Sequence, residues 1–221
     1  NNEMLHGDFY EQRLGSNIRD RMFRWCRQTN PDAILYLNDY DILKGKDLDA
    51  YARQIRRFQQ IGTPVGGIGV QGHFWGENFP EEKVRESLAT LGELGLPIKV
   101  TEFDFSGKDP GKQAEAFEKL YTIAFAQPEV NGVLMWGFWA GRHWRGDDAP
   151  WRKDWTPTPA AEKYRELVFD RWWTRWKDKA DEQGNAKLRA YYGTHDITVG
   201  GETRTVELTP ENTPVTIEFS Q

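Results

Sequence analysis

Four short runs in this chain are rich in apolar residues, three of them at nearly every position, and each is followed by a loop and an amphipathic stretch. They are AILYL at 33–37, VGGIGV at 65–70, IKVTEF at 98–103 and VLMW at 133–136, recurring about every 33 residues. A strand that is apolar on both sides must be covered on both sides, so runs of this kind indicate a parallel sheet flanked by helices. The pattern predicts helices over 20–28, 47–61, 81–94, 113–126 and from 159 to about 180. In the second of these Leu48, Tyr51, Ile55 and Phe58 recur at helical spacing and Gly62 closes the stretch. The fold class is therefore α/β. Repeated βα units either close into a barrel or stay open as a doubly wound sheet. No Gly-x-Gly-x-x-Gly loop follows any of the runs, so the dinucleotide-binding version has no support and the barrel is preferred. With four complete strands and a stub at Asn2-Glu3, residues 1–183 hold about half of such a barrel.

The character changes at Gly184-Asn185. Runs at 188–192, 195–199, 202–208 and 215–219 are β-type, with a hairpin signal at Gly200-Gly201. Residues 184–221 are expected to form a small antiparallel β appendage, short for a separate carbohydrate-binding module and better suited to a structural cap.

Composition excludes some classes. A net charge of −5, with Lys and Arg dispersed among acids, argues against nucleic acid as a partner, which demands a concentrated basic face. No apolar run nears the roughly 18 residues a membrane-spanning helix needs, so no membrane partner is expected. The lone Cys26 rules out an intrachain disulfide framework and a cysteine-based zinc site. No His or Asp spacing suggests a metal cage, and no metal or organic cofactor is implied.

In a parallel barrel the C-terminal ends of the strands share one mouth, where reacting groups gather. The stub brings Asn2 and Glu3 there, and the next strand ends in Asn38, Asp39 and Tyr40. After VGGIGV come Gln71, Gly72 and His73; after IKV come Thr101, Glu102 and Asp104; after VLM come Trp136, then Trp139, His143 and Trp144. Any one of these has an ordinary explanation as a helix cap, a turn residue or a core histidine. Five successive strand ends bearing an acid, amide, imidazole or indole are harder to attribute to chance.

Taken in order, NNE, LNDYD, GIGVQGH, VTEFD and VLMWG resemble the strand-end motifs of glycoside hydrolase family 10, over roughly residues 1–170. The resemblance implies a (β/α)8 TIM barrel of which this chain holds strands four to eight. It also implies retaining hydrolysis of internal β-1,4-xylosidic bonds in xylan. By the match Glu3 is the acid/base and Glu102 the nucleophile, on strands that are not neighbours and so face each other across the mouth. The family chemistry needs one carboxylic acid to protonate the leaving oxygen and one carboxylate to attack from the opposite side, the two about 5–5.5 Å apart. The resemblance further implies that His73 donates to Glu102 and is held by Asp104, and that Asn2 binds the 2-hydroxyl of the sugar under attack. Gln71 is expected near the same centre, Trp136 as its apolar floor, Trp144 as a second wall, and Asn38 and Tyr40 towards the leaving group.

The chain departs from the family where a WG-x-x-D pattern is usual, reading Trp136-Gly137-Phe138-Trp139-Ala140 before a charged, Trp-rich loop at 141–155. Substrate preference is where this matters. β-1,4-Glucan or mixed-linkage glucan is the alternative substrate, and a non-catalytic glycan-binding half-barrel the alternative class. The remaining strands are expected from a separate N-terminal half-barrel chain or to have been lost in processing. A polymeric substrate places such an enzyme outside the cell or in the periplasm.

Overall fold

A computed structural model of the chain describes residues 8–219. They belong to two compact units, Asn1–Tyr164 and Arg165–Gln221, and the expected boundary between 183 and 184 falls inside the second.

The first unit is built on a parallel sheet. Its strands are β1 (Tyr36–Asp39), β2 (Gly67–Val70), β3 (His73–Trp75), β4 (Ile98–Ser106) and β5 (Val130–Met135). β1 pairs with β2 from Tyr36↔Gly67 to Asp39↔Val70, and β2 with the first part of β4 from Ile68↔Ile98 to Val70↔Val100. β3 pairs with the last part of β4, from His73↔Asp104 to Trp75↔Ser106. Between them the Glu102 N–H donates to Gln71 O at 2.7 Å and the Asp104 N–H to Gly72 O at 3.3 Å. β2 and β3 are thus one strand interrupted at Gln71-Gly72, and Gly72 takes φ +90°, a conformation glycine enters without steric cost. β5 covers the other edge of β4, with register shifts on the way.

The helices are α1 (Asp8–Leu14), which the periodicity does not predict, and α2 (Ile18–Thr29), α3 (Leu48–Gln60), α4 (Glu81–Gly92), α5 (Pro110–Ala126) and α6 (Pro159–Glu166), which begin within a few residues of the predicted stretches. α3 buries Leu48, Tyr51, Ala52, Ile55 and Phe58, one face at helical spacing. Tyr51 is fully buried, and its hydroxyl lies 2.8 Å from both Leu37 O and Gly69 O, sharing its proton between β1 and β2. α5 starts where Asp109 accepts from the Gly111 N–H at 2.7 Å and Pro110 supplies a pre-set φ at the first position. Its buried Phe117 and Tyr121 pack on Phe103 of β4, ring centroids 4.7 and 5.9 Å apart. Burying each such ring contributes about 1.5–3 kcal/mol, and with Ile68, Val70, Ile98 and Val100 at zero exposure this is where the core sits.

Three expectations are corrected. The first strand begins at Tyr36 rather than at residue 33, because Ile34 points to solvent and pairing with β2 starts at Tyr36↔Gly67. His73–Trp75, in the stretch expected as loop after the second run, is a strand paired with β4. The helix beginning at Pro159 ends at Glu166 and passes through a wider turn, Leu167–Arg171, instead of reaching 180. There the Trp172 N–H reaches back to Leu167 O, while the Trp173 indole donates to Val168 O at 2.8 Å. That carbonyl is the one a continuing α-helix would have used.

In the second unit β6 (Gly193–Val199) and β7 (Glu202–Leu208) form an antiparallel hairpin, from Gly193↔Leu208 to Val199↔Glu202. Gly200 and Gly201 turn it, both with positive φ (+58° and +93°), as a two-residue hairpin loop requires. The β-type runs at 188–192 and 215–219 are not strands: β6 pairs with β7 alone, so among the described residues neither run has a ladder partner.

Candidate active site

The C-terminal part of β4 positions the acids. Glu102 and Asp104 are two residues apart, so both side chains leave the same side of the strand. Glu102 is 8% exposed and Asp104 3%. The interruption at Gly72 sets His73 level with Asp104 in the ladder, and the imidazole spans the two carboxylates. Nδ1 lies 2.9 Å from Asp104 Oδ1, and Nε2 lies 3.3 Å from Glu102 Oε2.

The other oxygen of Glu102 is held from β1. Asn38 Nδ2 donates to Oε1 at 3.2 Å, and the amide is fixed in that sense because its oxygen accepts from Thr101 Oγ1 at 2.8 Å. Each oxygen of Glu102 therefore has a neighbour aimed at it, His73 from the adjacent β3 and Asn38 from β1, the strand beyond β2. Gln71 is buried, its backbone N–H donating to Asp39 O at 3.0 Å and its carbonyl held by the Glu102 N–H. Tyr40 follows β1 directly, half-buried, its backbone N–H donating to Asp39 Oδ1 at 2.8 Å.

The aromatic side of the mouth comes from the residues after β5. Trp136 stands edge-on to the His73 ring at 6.0 Å between centroids and Trp144 is tilted against it at 5.3 Å. Both indoles are open to solvent, at 45% and 55% exposure. Trp144 also donates its indole N–H to Asp104 Oδ2 at 2.5 Å. The arrangement suits a flat, hydroxyl-rich ligand lying on indole faces above an ionisable, oriented carboxylate.

Of the residues singled out in the sequence, Glu102, His73, Asp104, Asn38, Trp136 and Trp144 meet at this one place, with Gln71 and Tyr40 on the adjoining backbone. Asn2 and Glu3 lie outside the described residues.

His143 was noted near the mouth but given no role. It is buried, its Nδ1 accepts from the Arg145 N–H at 3.1 Å, and its Nε2 is 3.9 Å from Asp104 Oδ2. Burial holds its pKa below the ordinary histidine value, with the Asp104 charge opposing. Thr101, one residue before Glu102 on the strand, takes the role of locking Asn38. Trp75, Arg145 and Lys44, which border the site, drew no attention because only folding brings them together.

A family model described as Glycosyl hydrolase family 10 matches residues 1–168. The structure of xylanase 10B from Thermotoga petrophila RKU-1 in complex with xylobiose superposes with a TM-score of 0.67 at 28% identity, covering 72% of this chain and 54% of that one. Endo-1,4-beta-xylanase 1 of Arabidopsis thaliana is 36% identical over 203 residues, which are 90% of this chain and 21% of that protein. The anti-sigma-I factor RsgI6 of Acetivibrio thermocellus is 38% identical over 200 residues, 90% of this chain and 26% of that protein. The chain thus spans about half the length of the xylanase structure and a smaller part of the two curated relatives. Its parallel βα units are part of a (β/α)8 barrel, as the strand-end motifs implied. With a match running through every strand end of the first unit, the chain belongs to glycosyl hydrolase family 10.

Proposed function

We propose that this chain carries the nucleophile side of a retaining hydrolase acting on internal β-1,4-xylosidic bonds of xylan. The observation that carries the reading is the line Asp104–His73–Glu102, with Asn38 on the remaining oxygen of Glu102. A neighbour on each oxygen fixes the direction of a carboxylate, which is what a nucleophile needs.

In the first step Glu3, as the acid, gives its proton to the glycosidic oxygen while Glu102 attacks the anomeric carbon from the opposite face. The C–O bond to the leaving sugar breaks and a glycosyl ester on Glu102 forms. In the second, the Glu3 carboxylate takes a proton from water, whose oxygen attacks the same carbon and frees Glu102. Asn2 binds the 2-hydroxyl, Gln71 lies beside the reacting centre, Trp136 is the floor, Trp144 the wall, and Tyr40 faces the leaving group. The barrel's front strands complete the cleft, from a separate N-terminal half-barrel chain or from the same polypeptide. Its workplace is extracellular or periplasmic, where the polymer is. The similarity to xylanases in both comparisons supports xylan over β-1,4-glucan.

A 2-fluoro xylobioside with a good leaving group tests this: peptide mapping should find the sugar on Glu102. With the barrel complete, labelling of another residue, or none, would reject it. The exposed indole faces of Trp136 and Trp144 favour one other reading, glycan binding without turnover. It predicts that Glu102→Ala keeps sugar affinity while the unaltered protein releases no product.

A further inference from the structure

Beside the acids runs a stack of alternating cations and indoles, of which hydrolysis as proposed employs only Trp144. Lys44 Nζ lies 3.4 Å from the centre of the Trp75 ring. The guanidinium carbon of Arg145 is 5.0 Å from that ring and 4.2 Å from the ring of Trp144. The series Lys44–Trp75–Arg145–Trp144 draws on three separate strand ends, after β1, at β3 and after β5, and its last member is the indole bound to Asp104.

The two kinds of cation are not equally occupied. Lys44 is paired with Asp41 at 2.7 Å, and Lys46 lies 3.6 Å from the same carboxylate, so two ammonium groups share one acid. Arg145 is half-buried, and among the described residues its guanidinium meets neither a carboxylate nor a carbonyl; its contacts are the two rings. A guanidinium held against aromatic faces keeps its N–H groups in its own plane, free at the edge, and that fork matches a carboxylate's two oxygens. Being held already, it loses little freedom on binding. Trp75 and Trp144, each 55% exposed, leave indole surface beside it on which sugar rings can lie.

We infer that Arg145 is the recognition point for a carboxylate carried as a side group on the glycan, a uronosyl substituent on the β-1,4-linked backbone. The assignment rests on the glycan reading of the cleft and adds to it a preference for acidic over undecorated chains.

Isothermal titration calorimetry of the chain with xylo-oligosaccharides of equal length, with and without one glucuronosyl branch, is the test. The unaltered protein should bind the acidic oligosaccharide about tenfold more tightly, a preference that shrinks in 0.5 M salt. Arg145→Met, which keeps a long apolar stem between the indoles, should abolish the preference and leave affinity for the neutral oligosaccharide within about twofold. Equal affinity of the unaltered protein for both sugars would overturn the inference and leave the glycan reading standing. An equal loss of both in Arg145→Met would also overturn it, reducing Arg145 to a clamp on Trp144. Failure to bind either sugar would overturn the glycan reading and this inference together.

Discussion

The indole N–H of Trp144 donates to Oδ2 of Asp104 at 2.5 Å, from forty residues further along the chain. The other oxygen of Asp104 faces His73 at 2.9 Å, so both are committed and the carboxylate cannot rotate away from the imidazole. Aim at Glu102 is thereby set from two directions, by the β3–β4 ladder and by the loop after β5. In metal sites, loss of the groups that orient a reacting ligand typically costs 10–100-fold, and the same scale serves here.

Asp104→Asn keeps the shape and removes the charge. In a polypeptide that includes the barrel's front strands, kcat on xylo-oligosaccharides should fall about 10–100-fold with KM little altered. Glu102→Gln should fall by three orders of magnitude or more, as removal of an attacking group does. Steady-state kinetics on the two variants separates the orienting role from the reacting one; equal losses would contradict the division.

Gly72→Ala should damage the site without touching it. A methyl group there would come within 2.7 Å of Val100 Cγ1, and φ +90° is a conformation other residues resist. Left-handed backbone alone costs about 1–2 kcal/mol. A lowered urea midpoint, together with loss of activity, is the expected result.

Tyr51→Phe tests the tie between α3 and the sheet. It leaves Leu37 O and Gly69 O without the buried hydroxyl that both now face. Stability should fall by about 1–3 kcal/mol, measured by urea unfolding.

His143 gives a pH dependence of known sign. Its folded pKa is depressed below 6.5 chiefly by burial, so the unfolded chain takes up the proton first as the solution is acidified. The stability tied to its neutral form is fully present above about pH 6.5 and is lost as pH falls through the folded value. Replacement by glutamine should flatten the unfolding midpoint between pH 7.5 and 5 relative to the unaltered protein; an unchanged slope would contradict this.

Much of the first unit was readable before any coordinates, because a strand covered on both sides has little option but to be apolar throughout. VGGIGV needed only that rule, and Leu48, Tyr51, Ile55 and Phe58 only helical spacing. His73-Phe74-Trp75 escaped because three residues after a glycine carry no period; their pairing is decided by β4, thirty residues away. The helix after Pro159 was overestimated because local propensity continues past Glu166, whereas an indole taking the Val168 carbonyl is a contact that propensity does not register. At the site, Glu102, His73 and Asp104 were legible as residue types at strand ends. The company of Trp75, Arg145 and Lys44 was not, since no spacing along the chain links the loops that supply them.

The two acids of β4 stand on the same side of one strand, and β3 offers a single imidazole to both. A slip of β4 by one position against β3 would turn Phe103 and Phe105 towards that imidazole and carry Glu102 and Asp104 to the opposite side together. Misassembly of this pairing therefore has no intermediate product: a molecule that acquires the wrong alignment presents neither acid to the imidazole.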